Sequence, residues 1–252
     1  MKLRYILFTI VICLVSSTVF AAENEKKVLN RFLYSESLND RQKAFDIIVS
    51  SENKYRNIVL RELKKHSTKP AGTPDALIYL AAVIKDQRYI QPLTSLINNV
   101  DYSSKHCIYS CPIVFSLVIF GTVMNHSLPT LDEKLTAVSD LKSEAKRVRG
   151  ISIKPEKASK YMEGPAVDQL LAQLETLPLA DVIKLAGPHT QNGNKRLAAA
   201  VVLQAHVTDA EYLKDLYWLA IAELPNDASG EYRNAIHWAI YRAETSRNLK
   251  RT

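Results

Sequence analysis

From about residue 25 to the C-terminus, apolar side chains recur at intervals of three and four in nearly every segment, and no strand-length stretch alternates between hairpin turns. Such a period puts one oily stripe on a helix and leaves nothing to cover a sheet. The chain is therefore expected to be all-α, built of antiparallel helical hairpins. A composition of 47% hydrophobic and 23% charged residues is that of an ordinary globular protein, with enough apolar material for an extended domain or two small ones.

Helix signals place the hairpins. Glu25 to Tyr34 reads as a first helix, and Asn39 or Asp40 as the cap of a second with Ala44, Phe45, Ile47 and Ile48 turned inward. Ser51 opens a third that buries Ile58, Val59 and Leu63, and a polar break follows from His66 to Gly72. Thr73 is expected to cap a helix with Pro74 at its first position and Leu77, Leu80, Ala81 and Ile84 on its face. Asp86 ends that helix, and Tyr89, Ile90, Leu93, Leu96 and Ile97 mark its partner. Pro112 to Met124 carries no charge and reads as a core helix. Leu131 to Val148 reads as a long amphipathic helix, and Ile151 to Gly164 as a loop. Helices resume at Pro165, and a short one over Leu179 to Leu185 stops at Gly187-Pro188. Asn194 to Ala205 comes next, then a capping box from Thr208 and Glu211 ahead of Tyr212, Leu213, Leu216 and Leu219. Glu231 to Ala243 is the terminal helix, burying Ala235, Ile236, Ala239 and Ile240, and Arg247 to Thr252 a frayed basic tail.

The first 21 residues have a different purpose. Lys2 and Arg4 form a positive start, Ile6 to Val15 an apolar run, and Val19-Phe20-Ala21 a small-x-small cleavage site, which together read as a secretory signal. Ser16, Ser17 and Thr18 interrupt the run before the roughly 20 residues a spanning helix needs, so stable membrane insertion is not expected. A periplasmic or secreted address follows. Residues 1–21 are then the signal, 22–150 an N-terminal helical region, 151–164 a connection and 165–252 a C-terminal helical region. The compartment also bears on Cys107 and Cys111, since exported thiols meet oxidising conditions. A regular helix holds β-carbons four residues apart too widely for a disulfide, but Pro112 pushes Cys111 out of helical geometry. A bridge there would pin the start of the Pro112 helix and contribute on the order of 2 kcal/mol. A zinc or redox site with His106 is the alternative, although the spacing is not C-x-x-C.

Successive hairpins share an internal grammar. Ala81-Ala82-Val83-Ile84, Asp86, Arg88, Ile90, Pro92-Leu93 and Leu96-Ile97 together resemble a HEAT repeat, of the armadillo-type helical class, in which an aspartate caps the second helix. Asn39 to Leu63 is similar through Arg41, Ala44, Leu60 and Leu63, and Lys195 to Leu219 through Ala198, Ala199, Ala200, Asp209, Leu213 and Leu216. Arg233, Ala235 and Ala239 resemble the opening of one more unit. The resemblance implies a short α-solenoid, irregular between about Tyr102 and Gly187, whose inner surface binds another protein. It carries no catalytic residues and implies no cofactor.

No His-Glu-x-x-His, Gly-x-Ser-x-Gly or phosphate-binding glycine loop occurs, and the six histidines are scattered. His66 and His206 stand at helix ends, and His237 beside Trp238 reads as packed. No metal site and no catalytic set is expected. A formal charge of +7, two of it in Lys2 and Arg4, favours an acidic partner, while the export signal argues against nucleic acid. The sharpest candidate for contact is the cationic row Arg56, Arg61, Lys64 and Lys65 on the second helix of the first hairpin. The expected activity is a non-catalytic, periplasmic protein-binding adaptor or scaffold; an inhibitor or immunity protein against a toxic enzyme, and a helical envelope hydrolase, are the alternatives.

Overall fold

The alternation of apolar stripes and caps is realised as helix after helix. The computed structural model describes residues 24–67, 73–99, 116, 119, 167–222 and 230–249, and all the regular structure among them is helical, with no strand. Cys107 and Cys111, the Leu131–Val148 helix, the 151–164 connection and the signal lie outside the described residues. The chain divides into two compact units, residues 1–62 and 63–252.

The first unit holds α1 (residues 24–34), α2 (Leu38–Ser50) and most of α3 (Glu52–Ser67). Its core is Leu29, Phe32, Ala44, Phe45, Ile48, Tyr55, Ile58 and Val59, with the Phe32 and Phe45 rings stacked at 5.9 Å. Neither Asn39 nor Asp40 caps α2. Ser37 does, its hydroxyl accepting from the Asp40 amide at 3.2 Å, because an extended residue with a short oxygen is what the first turn needs. Ile47 also departs from expectation. It is 44% exposed, lying well around the helix from the Ala44–Phe45–Ile48 stripe.

In the second unit, α4 (Asp75–Ile84) is buried from Ala76 to Ile84 on every side, so it is a central helix rather than an amphipathic one. It packs on α9 (Leu213–Ile221), far along the chain. Thr73 does not cap it. The helix begins at Asp75 after Pro74, and the buried Thr73 hydroxyl makes no hydrogen bond. Lys85 closes α4 in the left-handed conformation, φ 55°, the one positive-φ residue without a glycine's freedom among those described. A 3₁₀ turn, Gln87–Tyr89, then leads into α5 (Ile90–Asn99). Ser116 and Ile119, from the uncharged Pro112–Met124 segment, are helical and fully buried, with the Ser116 hydroxyl donating to the Ile78 carbonyl at 3.0 Å.

The remaining helices are α6 (Val167–Glu175), α7 (Leu179–Ala186), α8 (Gly193–His206), α9 and α10 (Gly230–Leu249). Helix α8 packs against α6, α7 and α10, and α9 against α7 and α10. Gly187 ends α7 not in the left-handed region but extended, φ −73° and ψ 164°, the backbone that Pro188 imposes on its predecessor. Asp209, not Thr208, caps the 3₁₀ turn Ala210–Tyr212, its carboxylate accepting from the Glu211 amide at 3.3 Å. Where a frayed tail was expected from Arg247, α10 continues to Leu249.

Two recurrences tie sequence to geometry. Ser37 and Asn192 cap α2 and α8, and each is followed at the fourth residue by an arginine, at the seventh by a buried alanine and at the eleventh by a buried aliphatic: Arg41, Ala44 and Ile48 against Arg196, Ala199 and Leu203. Asp86 and Asp209 likewise both cap a 3₁₀ turn that ends in tyrosine and runs into a helix with buried leucines at matching places, Leu93 and Leu96 against Leu216 and Leu219.

Candidate functional site

Helix α3 carries the expected cationic residues, and its composition explains their display. Tyr55, Ile58, Val59 and Leu63 take the buried stripe, which leaves the polar positions of the helix to solvent. Arg61, Lys64 and Lys65 are exposed, whereas Arg56 is half-buried. Arg61 and Lys65 are one turn apart and share a face. Arg56 lies roughly 140° around the helix from Arg61, taking 100° per residue. It turns instead to an open groove of about 500 Å³ at the α2–α3 junction, lined also by Val49, Ser50, Glu52 and Lys54. The structure therefore brings Arg61, Lys64 and Lys65 together and separates Arg56 from them. Lys64, Lys65 and His66 in the last turn also complement the helix dipole, so their charge has a local use as well.

Several titratable groups buried in the second unit are engaged with one another. Glu244 on α10 is fully buried; its Oε1 is 2.6 Å from Lys85 Nζ and accepts from the Tyr217 hydroxyl at 2.9 Å. Lys85 lies over the Tyr217 ring, 5.5 Å from its centroid, and donates to the Val83 carbonyl at 3.3 Å. His237, 1% exposed, shares a 2.8 Å hydrogen bond with the Tyr79 hydroxyl. These contacts join the end of α4 to α9 and α10. The Lys85–Glu244, Lys85–Tyr217 and Tyr79–His237 contacts were not visible in the sequence reading, because each pairs residues more than a hundred positions apart; the local signals were only a lysine before a capping aspartate and a histidine on an apolar face.

Helix ends account for other charged groups. Arg242 donates to the last carbonyls of α8, Gln204 at 2.6 Å and Ala205 at 2.8 Å. His206 is 3.7 Å from Glu175. Arg88 is raised above its ordinary range by its hydrogen bond to Asp86, and burial lowers Arg41, which donates to the Phe32 carbonyl at 3.2 Å.

Among the described residues no group of three or more histidine, cysteine or acidic side chains has the arrangement to hold a metal ion. No helix among them is long and apolar enough to cross a membrane. What the arrangement offers chemically is a set of exposed cations on a rigid helix, able to attract and hold anionic side chains. Compared with family models, curated proteins and solved structures, the chain matches none.

Proposed function

We propose that the chain is an exported, non-catalytic adaptor, in which a HEAT-like stack of helical hairpins holds a protein partner of acidic character. The observation that carries this reading is the recurrence of two features in matching register: a side-chain-capped helix start with an arginine and a buried alanine in α2 and α8, and an aspartate-capped 3₁₀ turn ahead of α5 and α9. Repeated hairpins stack by their shared apolar faces and leave a long inner surface for recognition. The exposed Arg61, Lys64 and Lys65 supply the charge for an acidic partner, and the N-terminal signal pattern supplies the compartment.

The test is affinity capture of the full chain from an envelope fraction at low and high salt, beside the charge-reversed variant Arg61→Glu/Lys64→Glu. The reading expects one protein retained at low salt, released as screening shortens the reach of the cations, and not retained by the variant. It fails if the chain fractionates with the cytosol, or if retention is the same for both proteins at both salt concentrations.

A further inference from the structure

The arginine that opens α8 meets no carboxylate among the described residues, and its twin in α2 shows what its Nε can do. Both occupy the fourth position after the cap, with backbone amides bonded alike to the cap carbonyls, Arg41 to Ser37 and Arg196 to Asn192, each at 3.0 Å. Helical side chains lean toward their own N-terminus. Arg41 accordingly reaches back to the end of the preceding helix, where Nε donates to the Phe32 carbonyl. The same register aims Arg196 at the start of α8, near the end of α7. There the terminal Ala186 carbonyl already accepts from the Tyr232 hydroxyl at 2.9 Å. Arg196 is only 5% exposed, and its buried Nε has no hydrogen-bond partner. Its guanidinium stacks on the Tyr232 ring, 5.4 Å from the centroid. Stacking uses the face of the guanidinium and leaves its in-plane donors unspent.

A second set of donors stands at the start of the same helix. The Asn192 side chain accepts from the Lys195 amide at 3.0 Å, which leaves the amides of Gly193 and Asn194 at the exposed start of a 14-residue helix without an internal acceptor. The surface beside Gly193 is open, since a Cβ there would meet nothing within 4 Å. A buried guanidinium without a counter-charge is costly. A helix start adds the positive end of its dipole.

We propose that the N-terminus of α8, with Arg196 and the Gly193 and Asn194 amides, binds a small oxyanion: phosphate, sulfate or a free carboxylate. The guanidinium contributes a fork that matches two oxygens, and the amides take a third or share one. The low exposure of Arg196 favours an ion over a polypeptide segment. The site is independent of the partner surface on α3.

Calorimetric titration and amide NMR shifts with inorganic phosphate, sulfate and acetate test it on the full chain. Phosphate is expected to bind saturably with a dissociation constant on the order of a millimolar, as suits one guanidinium and one helix end, and to shift Gly193 and Asn194. Arg196→Gln is expected to weaken binding about tenfold or more. Gly193→Pro is the second variant: proline suits a first helical position, Asn192 is already extended at ψ 109°, and only the N–H is lost. It is expected to keep the fold and weaken phosphate severalfold, while Lys184→Gln, at an exposed position of α7, leaves binding unchanged. Preference for acetate over phosphate would assign the site to carboxylates. Absence of saturable binding by the wild type, or equal binding by Arg196→Gln and Gly193→Pro, would overturn the proposal.

Discussion

Lys85 Nζ and Glu244 Oε1 are 2.6 Å apart, with the carboxylate fully buried and the lysine backbone in the left-handed region. A charge enclosed in this way is tolerable only while its partner remains. Lys85→Met is therefore expected to lower unfolding free energy by about 3 kcal/mol, and the double variant Lys85→Met/Glu244→Met to recover much of that. Urea denaturation of the two singles and the double checks the coupling. Additive costs would show that the pair contributes nothing beyond its separate side chains.

The backbone of Lys85 makes its own prediction. Left-handed geometry costs a side-chain-bearing residue roughly 1 kcal/mol more than glycine. Lys85→Gly loses the same ion pair as Lys85→Met but sheds that strain, so it is expected to be the less damaging of the two. The order of their unfolding midpoints decides it.

Asp209 and Thr208 stand next to each other, and only the first bonds an amide of the following turn. Asp209→Ala is expected to cost about 1 kcal/mol and Thr208→Ala less than about 0.5 kcal/mol. Asp86→Ala should cost at least as much as Asp209→Ala, because Asp86 also holds the Arg88 guanidinium at 2.9 and 3.1 Å. Thermal melts of the three variants test the ranking.

Gly187 and Gly193 flank one turn and differ in room. A Cβ at Gly187 would come to 3.0 Å from the Lys184 carbonyl oxygen, a backbone atom that cannot move alone. Gly187→Ala is expected to destabilise by about 1 kcal/mol, and Gly193→Ala to be neutral within about 0.5 kcal/mol. Chemical denaturation distinguishes them.

Tyr55 is buried in the first unit, and its phenol is raised above its ordinary value of 10.0 first by burial and then by the charge of Glu25. The neutral form is the one the fold favours. Its contribution is present in full below the unfolded pKa and is lost as pH climbs through the higher folded value. The stability difference between wild type and Tyr55→Phe is expected to be flat up to about pH 10 and to turn against the wild type above it. Urea midpoints for the pair across that range check the sign.

Much of the architecture was readable because helices advertise themselves locally. Ala81, Ala82 and Asp86, and Ala199, Ala200 and Asp209, announced two hairpins whose second helices do open at an aspartate cap. Capping residues were harder, since Thr73, Thr208 and Asn39 have the right chemistry and only backbone angles choose among neighbours. Ile47 was misassigned because helical spacing brackets a stripe to within about one position. The Lys85–Glu244 and Tyr79–His237 pairs were out of reach. Nothing local encodes a partner that arrives so much later in the chain, and the same holds for the open fork of Arg196, which only the comparison with Arg41 exposes. Of the cationic row, the helix and the exposure of Arg61, Lys64 and Lys65 followed from periodicity, but the turn of Arg56 into the groove did not.

Helix α4, oily on every side, packs on α9 and is tied to α10 through Tyr79 and His237. Its lining is translated long after it leaves the ribosome. Nascent chains that stop short of residue 213 must therefore keep an adhesive segment exposed, and folding of the second unit waits on the final third of synthesis. A C-terminal truncation would consequently act as a failure of the whole unit, and not as the trimming of a dispensable end.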